Sequence, residues 1–105
     1  MKLIVAIVHD DDTRDITDKL SKAGFSVTKL SSSGGFLKLG NTTLICGVDD
    51  DKVQEVVKII EEEGKSRTQL MPVSSGLFKA IQPLSEITVG GATIFVLNVE
   101  DFIKL

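Results

Sequence analysis

The chain has 105 residues, enough for one domain and too few for two independent cores. With 42% hydrophobic and 26% charged residues its composition is that of an ordinary globular protein. A formal net charge of −3 argues against broad binding to nucleic acids or anionic membranes, which needs a basic face, though it leaves room for one local basic pocket.

The first segment, KLIVAIV (residues 2–8), is a continuous apolar run of strand length, as expected at the centre of a sheet. Its apolar part, LIVAIV, is too short for a signal-peptide core or a membrane span. Asp10 to Asp12 and Thr13 offer helix N-caps, Ile16, Leu20 and Ala23 recur at helical spacing, and Gly24 is placed as the residue just past the helix end. Phe25, Val27 and Lys29 alternate with Ser26, Thr28 and Leu30, which predicts a half-buried strand.

SSSGGFLKLGNTT (residues 31–43) follows, a glycine-rich loop with a phenylalanine at its tip. TTLICGV (42–48) reads as the next strand. It holds the single cysteine, Cys46, so no internal disulfide can form and a reducing, cytoplasmic setting is expected. Val53, Val56, Val57 and Ile60 make the i, i+3, i+4, i+7 stripe of an amphipathic helix, with Asp49 to Asp51 at its positive end and Gly64 closing it. RTQLMPV (67–73), a variable loop at about 74–86, and a last strand TVGGATIFVLNV (88–99) complete the single domain, residues 1–105. The Gly90–Gly91 pair in that strand predicts a bulge or a close backbone approach.

Strand–helix–strand, twice, with a further strand, predicts an α+β, ferredoxin-like (βαββαβ) sandwich: an antiparallel sheet with two helices on one face. The other face would then be uncovered, and in so small a domain its burial against further copies of the chain is expected.

Catalytic chemistry is thinly supplied. His9, the single histidine, falls at the end of the first strand and reads as a surface or strand-end residue rather than an acid–base group. Cys46, inside an apolar strand, reads as a buried inert thiol. The two aspartate triplets could hold a hard cation, but each precedes a helix, where acidic residues serve as caps. No enzyme activity, metal or cofactor is therefore expected. RNA binding is not expected either, because the chain is acidic and has five Phe but no Trp or Tyr for a stacking platform.

The glycine loop is the feature that points to a ligand. Gly34 and Gly35 permit successive backbone N–H groups to converge on a phosphate oxygen. Phe36 offers a face for a purine, Asn41 and Thr28 carry hydrogen-bonding groups, Gly47 admits a base to the strand backbone, and Lys29 and Lys38 could add positive charge. The alternative is a hairpin whose glycines serve turn geometry and whose Phe36 packs on the core.

MKLIVAIV, FSVTKLSSSGGFLKLGNTTLICGVDDDKV and EITVGGATIFVLNVEDF together resemble the cyclic-di-AMP receptor family of PII-like signalling proteins. The resemblance is carried by T-K-L-x-x-x-G-G-F-L-x-x-G-N-T-T and the later V-G-G-A-T, and it weakens at residues 74–86 and at the extreme C-terminal residues. It implies a PII-type homotrimer with cyclic-di-AMP in clefts between subunits, and a non-enzymatic sensor that relays binding through the 74–86 loop to a partner protein. It also implies that Thr28 hydrogen-bonds the ligand and that Gly35, Phe36 and Leu37 give backbone amides to a phosphate. Phe36 would pack on a base, and Asn41 and Gly47 would complete the wall.

Three departures stand out. Where relatives flank the phenylalanine matching Phe25 with an asparagine and an arginine that hold an adenine, this chain has Gly24 and Ser26. A polar tail that in relatives helps hold the other base is replaced by FIKL, and the 74–86 loop is shorter and lacks the usual tyrosines and repeated glycines. These departures raise an alternative: a trimeric protein–protein interaction module that keeps the fold but has lost or altered nucleotide binding.

Overall fold

A computed structural model describes residues 1–30, 40–65, 67–72 and 84–105. The loop residues Gly35, Phe36, Leu37 and Lys38, and most of the 74–86 segment, lie outside the described residues. The elements in chain order are β1 (Lys2–His9), α1 (Asp10–Lys22), β2 (Thr28–Leu30), β3 (Asn41–Val48), a single 3-10 turn (Asp50–Lys52), α2 (Val53–Gly64), β4 (Arg67–Pro72), β5 (Leu84–Val89) and β6 (Ala92–Asn98). The main sheet has the order β2-β3-β1-β6 and is antiparallel throughout, as the ferredoxin-like plan requires. A separate antiparallel pair, β4-β5, is inserted between α2 and β6.

Strand periodicity decides which side chains meet the helices. On β1, Ile4, Ala6 and Val8 are buried, and on β3 so are Leu44, Cys46 and Val48. The register Ile4↔Cys46, Ala6↔Leu44 and Lys2↔Val48 keeps these positions in step on one face. Ile16 and Leu20 of α1 and Val53, Val56 and Ile60 of α2 close over them as the core. Phe25 and Val27 pack against its edge.

The opposite face remains bare. Register sets Val5 beside Phe95 and Leu3 beside Leu97 on that side, with Ile45 and Gly47 next to them on β3. Phe95 and Leu97 are 48% and 46% exposed in the single chain. An apolar sheet face of this kind marks an interaction surface.

Several local expectations are corrected. The cap of α1 is His9, not an aspartate: its Nδ1 accepts a hydrogen bond from the Asp11 N–H at 3.2 Å. The chain turns directly from β1 into the helix and leaves no spare residue for the aspartates to cap from. The predicted half-buried strand 25–30 shortens to Thr28–Leu30, all exposed at the sheet edge. Phe25 and Ser26 are instead taken up by the exit from α1. There Ala23 is the C-cap, Gly24 adopts φ +92°, and the N–H groups of Gly24 and Phe25 donate to the carbonyls of Ser21 and Leu20 at 3.0 and 2.9 Å. This paired closure requires a left-handed residue at position 24.

Gly64 closes α2 as its last helical residue. Its value lies in packing, since a Cβ there would stand 3.3 Å from Ile16 Cδ1, a fully buried atom group with little room to yield. The predicted strand 88–99 is two strands in two sheets. Gly90 and Gly91 take φ values of +80° and +90°, and the Gly91 N–H donates to the Gly64 carbonyl, which breaks the ladder between β5 and β6. Part of the predicted loop, Leu84 to Glu86, belongs to β5.

Candidate functional site

Two clefts meet at the end of β3. The first, of about 430 Å³, lies between the exit of α1 (Gly24, Phe25, Ser26), the end of β3 (Gly47) and the start of the α2 region (Asp49, Lys52). The second, of about 500 Å³, is walled by Ser26, Thr28, Ile45 and Gly47 on one side and by Phe102 and Lys104 on the other. Ser26 and Gly47 line both.

Gly47 is the hinge of this arrangement. It is an ordinary strand residue with no positive φ, and a Cβ placed on it would meet nothing within 4 Å. Among the described residues nothing demands glycine there, while glycine within a strand costs stability. The vacant space above its Cα opens into both clefts.

Asn41 stands at the other end of the same row. Positions 41, 43, 45 and 47 share the face of β3 turned away from the helices, and Thr28 is paired with Ile45 beside them. Six residue steps separate Asn41 from Gly47, about 20 Å along the strand. The structure thus gathers Thr28 and Gly47 in one cleft and sets Asn41 apart, at the mouth of the glycine loop. A ligand touching the whole row must be extended.

Asn41 is held there by the start of α1. The Asp10 N–H donates to the Gly40 carbonyl at 2.8 Å, and the Thr42 hydroxyl donates to the Asp10 carboxylate. Gly40 itself adopts φ +93°. The return limb of the loop is therefore clamped to the rigid end of a helix, with Asn41 between the two anchors.

The cationic supply differs from expectation. Lys29 pairs with Leu44, whose side chain is in the core, so Lys29 is on the helix side of the sheet and away from Thr28. Odd and even positions of a strand cannot share a face. In the first cleft Lys52 Nζ is 3.9 Å from the Glu55 carboxylate, and Asp49 lies beside it. The Met1 ammonium, which also lines both clefts, is 3.0 Å from Asp50 and holds that carboxyl below the usual carboxylate range.

The residues weighed for catalysis have other occupations. Cys46 is buried under the helices, and burial pushes its thiol up, away from the reactive thiolate. His9 is engaged as the cap of α1 and is 3.6 Å from the Asp11 carboxylate. In the first aspartate triplet Asp10 bonds Thr42, Asp11 lies beside His9, and Asp12 is buried. Three aspartates facing three ways do not form one cation site. Among the described residues no helix is long and apolar enough to cross a membrane.

The resemblance implies a tail close to the ligand, and the structure sets Phe102 and Lys104 in the same cleft as Thr28 and Gly47. Their proximity arises because β6 returns beside β1 and delivers residues 100–105 to that end of the sheet. The visible signal was the FIKL tail itself, which interrupts the resemblance at that point.

Comparison with known proteins agrees with the architecture. The model of the cyclic-di-AMP receptor family matches residues 1–105. A nitrogen fixation nifHD region GlnB-like protein 1 from Methanothermococcus thermolithotrophicus is 39% identical over 79 residues, covering 63% of this chain and 75% of that protein. The nifHD2 region GlnB-like protein 1 from Methanosarcina barkeri is 32% identical over 81 residues, covering 65% and 75%. A crystal structure of a functionally unknown protein from Pediococcus pentosaceus superposes with a TM-score of 0.81 at 36% identity, covering 99% of this chain and 96% of that one. The chain belongs to the cyclic-di-AMP receptor family of PII-like signalling proteins.

Proposed function

We propose that the chain is a non-enzymatic cytoplasmic sensor that binds cyclic-di-AMP between the subunits of a homotrimer. The observation that carries this reading is Gly47: a glycine near the end of β3 that no described residue of its own chain requires to be glycine, at the junction of two clefts, in a member of a cyclic-di-AMP receptor family. The row from Asn41 to Gly47 suits an extended ligand with a nucleobase on either side of its phosphodiester ring. Because that row lies on the face turned away from the helices, a subunit packed on the face would complete the wall, which supports the intersubunit placement. Thr28, Asn41 and Gly47 contribute from the sheet, and the backbone amides of Gly35, Phe36 and Leu37 contribute from the loop.

Titration calorimetry with cyclic-di-AMP, with cyclic-di-GMP and ATP as controls, tests the reading. Saturable binding near one ligand per subunit is expected, selective for cyclic-di-AMP and strongly weakened in Asn41→Ala, with a trimeric mass by sedimentation. Absence of heat at high ligand concentration sinks it. Relay to a partner protein through the 74–86 segment is part of the same proposal. Hydrogen exchange should show that segment gaining protection with saturating ligand, and equal protection in both states removes the relay.

A second reading is favoured by Ser26, where relatives place an arginine: a trimeric interaction module with lost or altered nucleotide binding. A trimer that gives no binding signal selects it.

A further inference from the structure

Any cyclic dinucleotide brings two phosphate charges into this site, and the described cations are mostly committed elsewhere. Lys29 is on the wrong face of the sheet. Lys52 is balanced by Glu55 with Asp49 beside it, the Met1 ammonium is paired with Asp50, and the Lys2 ammonium is hydrogen-bonded to the Asn98 amide. Position 26 offers a hydroxyl. The second cleft, however, is lined by Lys104 opposite Ser26, Thr28 and Gly47. Among the described residues Lys104 makes no ion pair or hydrogen bond, and no carboxylate lines that cleft with it.

We infer that Lys104 is the anion-binding residue of this cleft, holding a phosphate of the bound dinucleotide with a positive charge supplied from the tail. The inference rests on the cyclic-di-AMP reading and adds to it a specific residue. An ammonium is a compact, freely rotating donor of three hydrogen bonds and meets a phosphate as a point charge, without the fixed fork geometry of a guanidinium. The flanking Phe102 and Ile103 are exposed apolar side chains lining the same cleft. The first cleft, with its carboxylates, is left to the uncharged base.

The test is calorimetry of cyclic-di-AMP with the full-length wild type, Lys104→Ala, Lys104→Arg, and the double variant Lys104→Ala/Ser26→Arg, at low and high salt. Wild-type binding, a loss of about tenfold or more in Lys104→Ala, retention in Lys104→Arg and a weaker salt dependence in the alanine variant are expected. Ser26→Arg should recover binding in the Lys104→Ala background, because the two positions line one cleft. If wild type and Lys104→Ala bind alike at both salt concentrations, the role of Lys104 is overturned while the sensor reading stands. If neither wild type nor any variant binds, the sensor reading falls and takes this assignment with it. Lys104 is outside the core, so loss of folding is not expected, and circular dichroism of each variant verifies it.

Discussion

Gly47→Val should abolish cyclic-di-AMP binding, by about 100-fold or more, while leaving the subunit as stable as the wild type or slightly more so. Valine favours strand geometry, and replacing glycine within a strand recovers about 0.5–1 kcal/mol. Beyond its two chain neighbours, no heavy atom of the described residues lies within 4 Å of the added Cβ, so none of them resists it. The branched side chain would instead fill the junction of the two clefts, where the ligand must approach the β3 backbone. Excluding a ligand from close contact by a misplaced methyl pair costs on the order of 1–3 kcal/mol in packing alone, before lost hydrogen bonds are counted. Calorimetry for affinity and urea unfolding for stability separate the two effects. Undiminished affinity in Gly47→Val would place the ligand elsewhere.

Ser26→Arg should act in the opposite direction. Ser26 is exposed, lines both clefts, and stands one residue beyond Phe25, whose backbone is fixed by the closure of α1. A guanidinium introduced there gains a charge-assisted hydrogen bond worth about 1.5–3 kcal/mol, a 10- to 100-fold rise in affinity. With Lys104 in place the gain should fall toward the lower end, since two cations then compete for one dianion. In the Lys104→Ala background it should approach the upper end. Isothermal titration of the four chains gives this coupling directly, and additive effects would show that the two positions do not share a ligand group. Gly24 tells a complementary story. Its φ of +92° is tolerated by glycine and, among other residues, best by asparagine. An asparagine at this position, which the resemblance implies for relatives, would satisfy the same helix ending.

The local elements were legible because each is written in residues close together in the chain. The unbroken run KLIVAIV, the stripe Val53–Val56–Val57–Ile60 and the glycine after Ala23 report backbone preference and burial period without reference to anything distant. From these alone the α+β sandwich and its uncovered face followed. Thr28 and Gly47 were also legible as ligand candidates, the first for its hydroxyl and the second for its missing side chain.

What needed the tertiary structure was every feature set by pairing between remote residues. Strand register put Lys29 opposite Leu44 and so turned its charge away from Thr28. The hydrogen bond from Gly91 to Gly64, together with two left-handed glycines, divided one apolar run between two sheets. The contact of Gly64 with Ile16 made that glycine a packing residue, and the Asp10–Gly40 bond fixed where the loop returns. The return of β6 beside β1 brought Lys104 to the cleft of Thr28. Composition and period govern how a segment folds upon itself; which side chains share a cleft is decided by register and by chain reversal, and those depend on partners tens of residues away.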